Sequence, residues 1–115
     1  MSIWHEQRDH CFIITIEETD LTESLIDQMR QLLTVAFLRK NYNLILDLSS
    51  CKTIDSYFVG LLISTHNDIK NLGGRLFCTG VSGQVAHAFD AIRLNQLVTL
   101  HKQVDEAAAE CIPSS

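Results

Sequence analysis

Ser56 is the residue of this chain whose position best suits a chemical event. Apolar residues recur at helical spacing after it, at Phe58, Leu61, Leu62, Thr65, Ile69 and Leu72. This pattern predicts a helix that begins at this point, with Ser56 as its N-cap. The free N–H groups of a first helical turn, together with the helix dipole, also favour a phosphate group. An exposed serine that can gain and lose charge indicates a regulatory switch rather than a catalytic residue.

Asp55 directly precedes this serine, and two interpretations of it remain open. It could be a solvated loop carboxylate that only shapes the turn. It could instead orient the serine hydroxyl, or bind the metal ion of a kinase's nucleotide during phosphoryl transfer. Ser49, Ser50 and Thr53 are alternative phosphate acceptors in the same loop, but none of them is predicted to lie at the helix start.

The other reactive residues do not form a recognisable catalytic or metal site. No two of the five histidines have the i, i+4 spacing of a helical metal clamp. Cys51 and the other three cysteines form no C-x-x-C motif, and we expect them to be buried small hydrophobic residues. The Gly80-x-x-Gly83 segment lacks the third glycine and the lysine of nucleotide-binding loops, so it predicts a plain strand-to-helix turn. We therefore expect no enzymatic activity, no metal and no cofactor.

Strands and helices alternate along the predicted fold. Strands are expected at residues 11–17, 43–48, 75–79 and 97–100. Asp20 and Glu23 resemble a capping box that opens the first helix, and Ser82 is expected to cap a later one. The helix after Ser56 should end at the Gly73-Gly74 pair, and a closing helix carries apolar residues from Val104 onward. This alternation predicts one α/β domain over residues 1–115, with helices packed against a central, mostly parallel sheet.

Charge and hydropathy limit the classes of partner. The formal net charge is −5, whereas binding to nucleic acid requires clustered Lys and Arg side chains. The apolar runs are far shorter than the roughly 20 residues that span a bilayer, and the polar first residues do not resemble a signal peptide. We therefore expect a cytoplasmic protein whose partners are other proteins, with no nucleic acid and no membrane among them.

The segment ILDLSSCKTIDSYFVGLL resembles the strand, loop and helix of the STAS domain, a module of bacterial anti-sigma-factor antagonists. The family motif typically runs Asp-Ser-Ser/Thr-Gly-Leu-Gly, and its first serine is the one phosphorylated. Asp55, Ser56 and Gly60 match this motif, whereas Tyr57 and Phe58 replace a small hydroxyl residue and a glycine. The stretch NLGGRLFCTGVSGQVAHAFDAIRLNQLVTLHKQVDEAAA is similar to the remainder of the family's fold. The resemblance extends from about Phe12 to Ala109.

This resemblance implies an anti-sigma-factor antagonist that works by partner switching. The unphosphorylated protein would bind an anti-sigma factor that is also a serine kinase. Phosphorylation of Ser56 would end that binding, and a separate serine phosphatase would restore it. The implied partner-binding residues are Asp55, Ser56, Tyr57 and Phe58, on a protein that is a monomer or a weak dimer.

A second function remains open on the same residues. Some stressosome proteins have STAS domains in which Ile-Asp-Ser is followed by an aromatic and an aliphatic residue, and the segment IDSYFV resembles that variant. Such a protein would be a scaffold within a large signalling complex.

Overall fold

A five-stranded mixed sheet forms the centre of the protein in the computed structural model, which describes residues 2–8 and 10–111. The strand order is β1-β2-β4-β6-β7. Its strands are β1 (Ile3–Arg8), β2 (Cys11–Ile16), β4 (Asn43–Asp47), β6 (Arg75–Thr79) and β7 (Thr99–His101). Only β1 is antiparallel to its neighbour, and the other pairs are parallel. This arrangement confirms the predicted mostly parallel sheet.

Helices cover both faces of this sheet, but to unequal extents. The helices are α1 (Ile26–Leu38), α2 (Ser56–Asn71), α3 (Gly83–Ala91) and α4 (Val104–Glu110). One face packs against α1, α2 and α3 through a large apolar cluster that includes Met29, Phe58 and Phe89. The other face packs against α4 through a small cluster that includes Ile45 and Phe77. The α/β fold predicted from the sequence is therefore confirmed.

Two very short strands fasten the loops beside the sheet. These strands are β3 (Asp20–Leu21) and β5 (Thr53–Ile54), which pair in parallel. The backbone N–H of Asp55 also donates to the carbonyl oxygen of Leu21, at 2.9 Å. The loop after β2 and the loop after β4 are therefore joined immediately before α2 begins.

Three details of the sequence-based prediction are wrong. The capping box of Asp20 and Glu23 does not form, because Asp20 lies in β3 and a 3-10 turn (Glu23–Leu25) precedes α1. Strand β1 was not predicted, since its side chains are mostly polar and exposed and only Ile3 is buried. The last strand is Thr99–His101 rather than residues 97–100. In each case pairing with a distant strand, rather than local pattern, determines the outcome.

Charged contacts supplement the small apolar cluster under α4. Arg8 of β1 contacts Asp105 at 3.0 Å, and Arg75 of β6 contacts Glu110 at 3.4 Å. Glu110 also hydrogen-bonds to Nε2 of His101. The guanidinium of Arg75 lies 4.6 Å from the centre of the Phe77 ring. Because the ion-paired groups are partly to largely exposed, each ion pair adds little stability.

Within the described residues, no helix combines the length and the apolar character that crossing a bilayer requires.

Gly74 allows the chain to turn closely past Tyr42 as β6 begins. A Cβ atom at Gly74 would lie 2.0 Å from the carbonyl oxygen of Tyr42, so Gly74→Ala requires a backbone shift. We expect this substitution to lower the free energy of unfolding by about 1–3 kcal/mol, measured by urea denaturation. Gly60→Ala is the matched control, since an added Cβ in the second turn of α2 meets no atom within 4 Å apart from its chain neighbours and the backbone of its own helix. It should raise stability by about 0.5–1 kcal/mol, and equal effects of the two substitutions would contradict this packing.

The stability that Glu110 contributes by joining α4 to the sheet should depend on pH. The hydrogen bond with His101, with the positive charge of Arg75 nearby, lowers the pKa of Glu110 from its ordinary 4.5. A carboxyl group with a lowered pKa stabilises the fold above its ordinary value, and this stabilisation is lost as the pH falls through the lowered value. Over that acidic range, the wild-type protein should lose more stability than Glu110→Gln in thermal unfolding. Parallel pH profiles for the two proteins would show that this contact contributes nothing.

Candidate functional site

Ser56 is the first residue of α2, and its side chain is exposed. Because β4 and β6 are parallel, the connection between them must return along the sheet, and α2 makes that return. The start of α2 therefore lies at the carboxyl-terminal edge of the sheet, beside the loops that follow the parallel strands. Open α/β sheets generally bind their ligands at this edge.

Asp55, not Ser56, is the N-cap of α2. Its Oδ1 atom accepts a hydrogen bond from the backbone N–H of Phe58 at 2.8 Å. Its Oδ2 atom accepts a second hydrogen bond from the backbone N–H of Glu23 at 2.9 Å. The predicted N-cap was therefore wrong by one residue. The carboxylate has two acceptor oxygens, and it joins two elements because each oxygen accepts one of these bonds.

Glu23 was predicted to belong to a capping box, and its contact with Asp55 was not predicted. Through its backbone N–H, the turn that precedes α1 is held against the start of α2. Thr53, an alternative phosphate acceptor in the sequence analysis, donates its hydroxyl to Asp20 Oδ1 at 2.6 Å. A general signal was available, because loops after adjacent parallel strands meet at one edge of a sheet. This rule alone would have placed the loops after β2 and β4 side by side, but it does not identify the atoms that bond.

The predicted partner-binding residues divide between the surface and the core. Tyr57 is 60% exposed, whereas Phe58 is fully buried at 0%. Phe58 belongs to the large cluster between α2 and the sheet, as its helical phase suggested. Asp55 and Ser56 lie beside Tyr57 on the first turn of α2. The accessible part of the predicted surface is therefore Asp55, Ser56 and Tyr57, and Phe58 holds the helix beneath them.

The loop after β4 contains two further exposed hydroxyl groups, Ser49 and Ser50. Asp47 accepts a hydrogen bond from the backbone N–H of Ser49 at 3.1 Å, and this bond shapes the turn. Gly80 packs so closely on Ser49 that an added Cβ would lie 2.6 Å from the Cβ of Ser49. The Gly80-x-x-Gly83 segment is thus the turn between β6 and α3, as predicted. Neither serine is at a helix start, so neither shares the environment of Ser56.

Cys51 lies in the loop before Ser56 but is buried, at 3% exposure. Its Sγ atom donates a weak hydrogen bond to the carbonyl oxygen of Ile16 at 3.7 Å. Burial raises the pKa of Cys51 to about 11, so the thiol is protonated at neutral pH and is a poor nucleophile. Across residues 2–8 and 10–111, no three His, Cys, Asp or Glu side chains are grouped as a metal site.

Substitutions at Asp55 and Ser56 should distinguish the residue that caps α2 from the residue that is only exposed. Asp55→Ala removes the acceptor for two backbone N–H groups and should lower the free energy of unfolding by about 1–2 kcal/mol. Ser56→Ala removes an exposed hydroxyl outside the cap and should change it by less than about 0.5 kcal/mol. Urea denaturation of both variants measures this difference. A larger loss for Ser56→Ala than for Asp55→Ala would show that the serine is the cap after all.

Solved structures with the same fold span nearly the whole chain. An anti-sigma factor antagonist from Mycobacterium paratuberculosis has a TM-score of 0.77 and 15% identity, covering 95% of this chain and 92% of its own. RsbS from Moorella thermoacetica, with one serine replaced by glutamate, has a TM-score of 0.80 and 20% identity, with coverages of 96% and 95%. The Bacillus cell fate determinant SpoIIAA in its phosphorylated form has a TM-score of 0.73 and 17% identity, with coverages of 93% and 96%.

Sequence comparison places the chain in one family. No curated protein sequence matches it significantly. The family profile described as STAS domain matches residues 3–107, which include every strand of the sheet and the site around Ser56. At these low identities the similar structures establish the fold, and the profile establishes the family. The chain therefore belongs to the STAS domain family.

Proposed function

We propose that this protein is an anti-sigma-factor antagonist controlled by phosphorylation of Ser56. In its unphosphorylated form it binds an anti-sigma factor that is also a serine kinase, and the sigma factor is released. A serine phosphatase returns the phosphorylated form to the binding state. The observation that carries this proposal is an exposed serine at the first position of α2, outside the capping hydrogen bonds, in a STAS domain. The protein acts by binding, in the cytoplasm, and not by catalysis.

The exposed face of α2 has the character of a protein-binding surface. No charged side chain occurs between Ser56 and Asn67, although 20% of the whole chain is charged. Tyr57 is 60% exposed and Ile63 is 37% exposed on this stretch. Gly60 has open space around it, so a partner could approach the helix backbone closely there. Interface cores are typically depleted of charge and enriched in aromatic residues such as tyrosine.

A phosphate on Ser56 would add a strong negative charge at the start of this uncharged stretch. It adds about −1.5 to −2 charges at neutral pH. Asp55 lies directly beside it, and Glu23, bound to Asp55 through its backbone N–H, has an exposed side chain close by. Burying this phosphate against an apolar or acidic partner could cost on the order of 3 kcal/mol, a loss of affinity of roughly 100-fold. That loss is large enough for a switch between partners.

Two substitutions of Ser56 test this proposal directly. The purified anti-sigma-factor kinase of the same cell is titrated with each protein, and the dissociation constants are measured by calorimetry. Ser56→Ala should bind as the unphosphorylated wild type does, with or without ATP. Ser56→Asp should bind more weakly because it carries a fixed negative charge at the interface. Ser49→Asp is the matched control, since it places the same charge in the neighbouring loop and should bind nearly as the wild type does.

Equal affinities of Ser56→Ala and Ser56→Asp would overturn the phosphorylation switch. Peptide mass spectrometry of protein isolated from growing and stressed cells supplies an independent result. A phosphate on Ser56 under either condition is expected, and its absence under both conditions would argue for a binding module that is always active.

A scaffold function is the second candidate, and the sequence of the α2 start favours it. The order Ile54, Asp55, Ser56, Tyr57, Phe58 resembles the variant found in some stressosome proteins. A scaffold would assemble into large complexes, whereas an antagonist is a monomer or a weak dimer until its partner is added. Sedimentation velocity of the purified protein therefore distinguishes the two functions.

A further inference from the structure

Cys11 and Cys111 are buried in the same small cluster beneath α4. Cys11 is the first residue of β2, and Cys111 is the residue that caps the C-terminus of α4. Both are buried, at 2% and 7% exposure, within the small cluster between α4 and the sheet. Cys111 donates its thiol to the carbonyl oxygen of Ala107 at 3.5 Å, which holds its side chain inside this cluster. Two cysteines that are far apart in sequence are thus buried in one cluster of six residues within the described part of the chain.

The thiols lie on the face of the sheet that has the smaller buried cluster. Helix α4 has 7 residues, and two of its contacts to the sheet are the exposed ion pairs of Asp105 and Glu110. Its buried cluster is far smaller than the one on the opposite face. Elements with little buried apolar area open more readily than the rest of a domain. A small oxidant can therefore reach Cys111 when the last turn of α4 opens, without unfolding of the sheet.

We propose that Cys11 and Cys111 form a reversible disulfide that fastens α4 to the sheet when a low-molecular-weight disulfide such as glutathione disulfide is present. One cysteine thiolate attacks the small disulfide, forms a mixed disulfide and releases one small thiolate. The second cysteine thiolate attacks the mixed disulfide, closes the Cys11–Cys111 bond and releases the second small thiolate. The two protons lost by the cysteines are taken up by the two released thiolates, which become thiols. Two electrons pass from the protein to the small disulfide.

Two properties of the site determine how this bond would behave. Burial, together with the neighbouring Cys11 thiol, raises the pKa of Cys111 to about 12, so little thiolate is present at neutral pH. The bond should therefore form slowly in the closed structure, and the rate should rise about tenfold per pH unit as thiolate becomes available. Once formed, the bond would enclose nearly the whole described chain in one loop. Long closed loops give the largest entropic stabilisation in the chain-entropy model.

The Cys11–Cys111 pair is separate from the Ser56 surface. Cys11 begins β2, so it lies at the amino-terminal edge of the parallel strands, whereas α2 begins at their carboxyl-terminal edge. The proposal does not depend on the proposed partner switching. Oxidation is expected to change the stability of the protein and to leave partner affinity unchanged.

Intact-mass spectrometry after incubation with glutathione disulfide tests the proposal. The wild-type protein should lose the mass of two hydrogen atoms, and non-reducing digestion should yield the Cys11 peptide linked to the Cys111 peptide. A Cys51→Ala, Cys78→Ala double variant retains only the proposed pair and should lose the same mass. Cys111→Ser should not lose it. Dithiothreitol should reverse the change, and the oxidised protein should melt about 10 °C higher or more.

Several results would overturn the proposal. These are an unchanged mass, glutathione adducts without an internal bond, a linkage that includes Cys51 or Cys78, and a melting temperature that does not rise on oxidation. Because the peptide linkage is read on the wild-type protein, the result holds even if the double variant fails to fold. A partner affinity that changes with oxidation would contradict the separation of the two sites without affecting the disulfide itself.

Discussion

The burial of both faces of β4 is the constraint on which the rest of the structure depends. Leu44 and Leu46 point into the cluster under α1, α2 and α3, whereas Ile45 points into the cluster under α4. A strand that is apolar on both sides requires helices on both sides, and parallel neighbours require helical crossovers. Those crossovers start every connecting helix at the same edge of the sheet. The position of the loop that ends at Asp55 is thus a consequence of how the middle of the sheet is packed.

The sequence predicted most of the fold because its central strands are unambiguous. The continuous apolar residues Leu44–Leu46 and Leu76–Phe77 are typical of strands that are covered on both faces, and the structure has β4 and β6 there. Strand β1 could not be predicted in this way, because Ile3 is its only buried residue and Trp4 is 53% exposed. Its extended backbone is held by pairing with β2 along its whole length. Such pairing is a tertiary interaction that no short window of sequence contains.

The N-cap of α2 was predicted to within one residue, and the error has a physical cause. Serine and aspartate are comparable N-caps in local terms, so helical phase alone allowed either Asp55 or Ser56. The choice is made by the backbone N–H of Glu23, which arrives from a different loop and takes the second carboxylate oxygen. Phe58 belongs to the apolar helical pattern and Tyr57 does not, and the structure buries Phe58 and exposes Tyr57 although both were implied partner-binding residues. Local patterns therefore predicted which side chains are buried, while a distant amide decided which one caps the helix.

The antiparallel direction of β1 has a consequence for attaching anything to this domain. Ile3 pairs with Ile16, and the carbonyl oxygen of Ser2 accepts a hydrogen bond from the N–H of Glu17 at 2.7 Å. A fluorescent label or fusion partner joined ahead of Ile3 would thus project from the sheet edge where α2 begins. Such an attachment would crowd the Ser56 surface, so probes of that surface are best placed away from the start of β1.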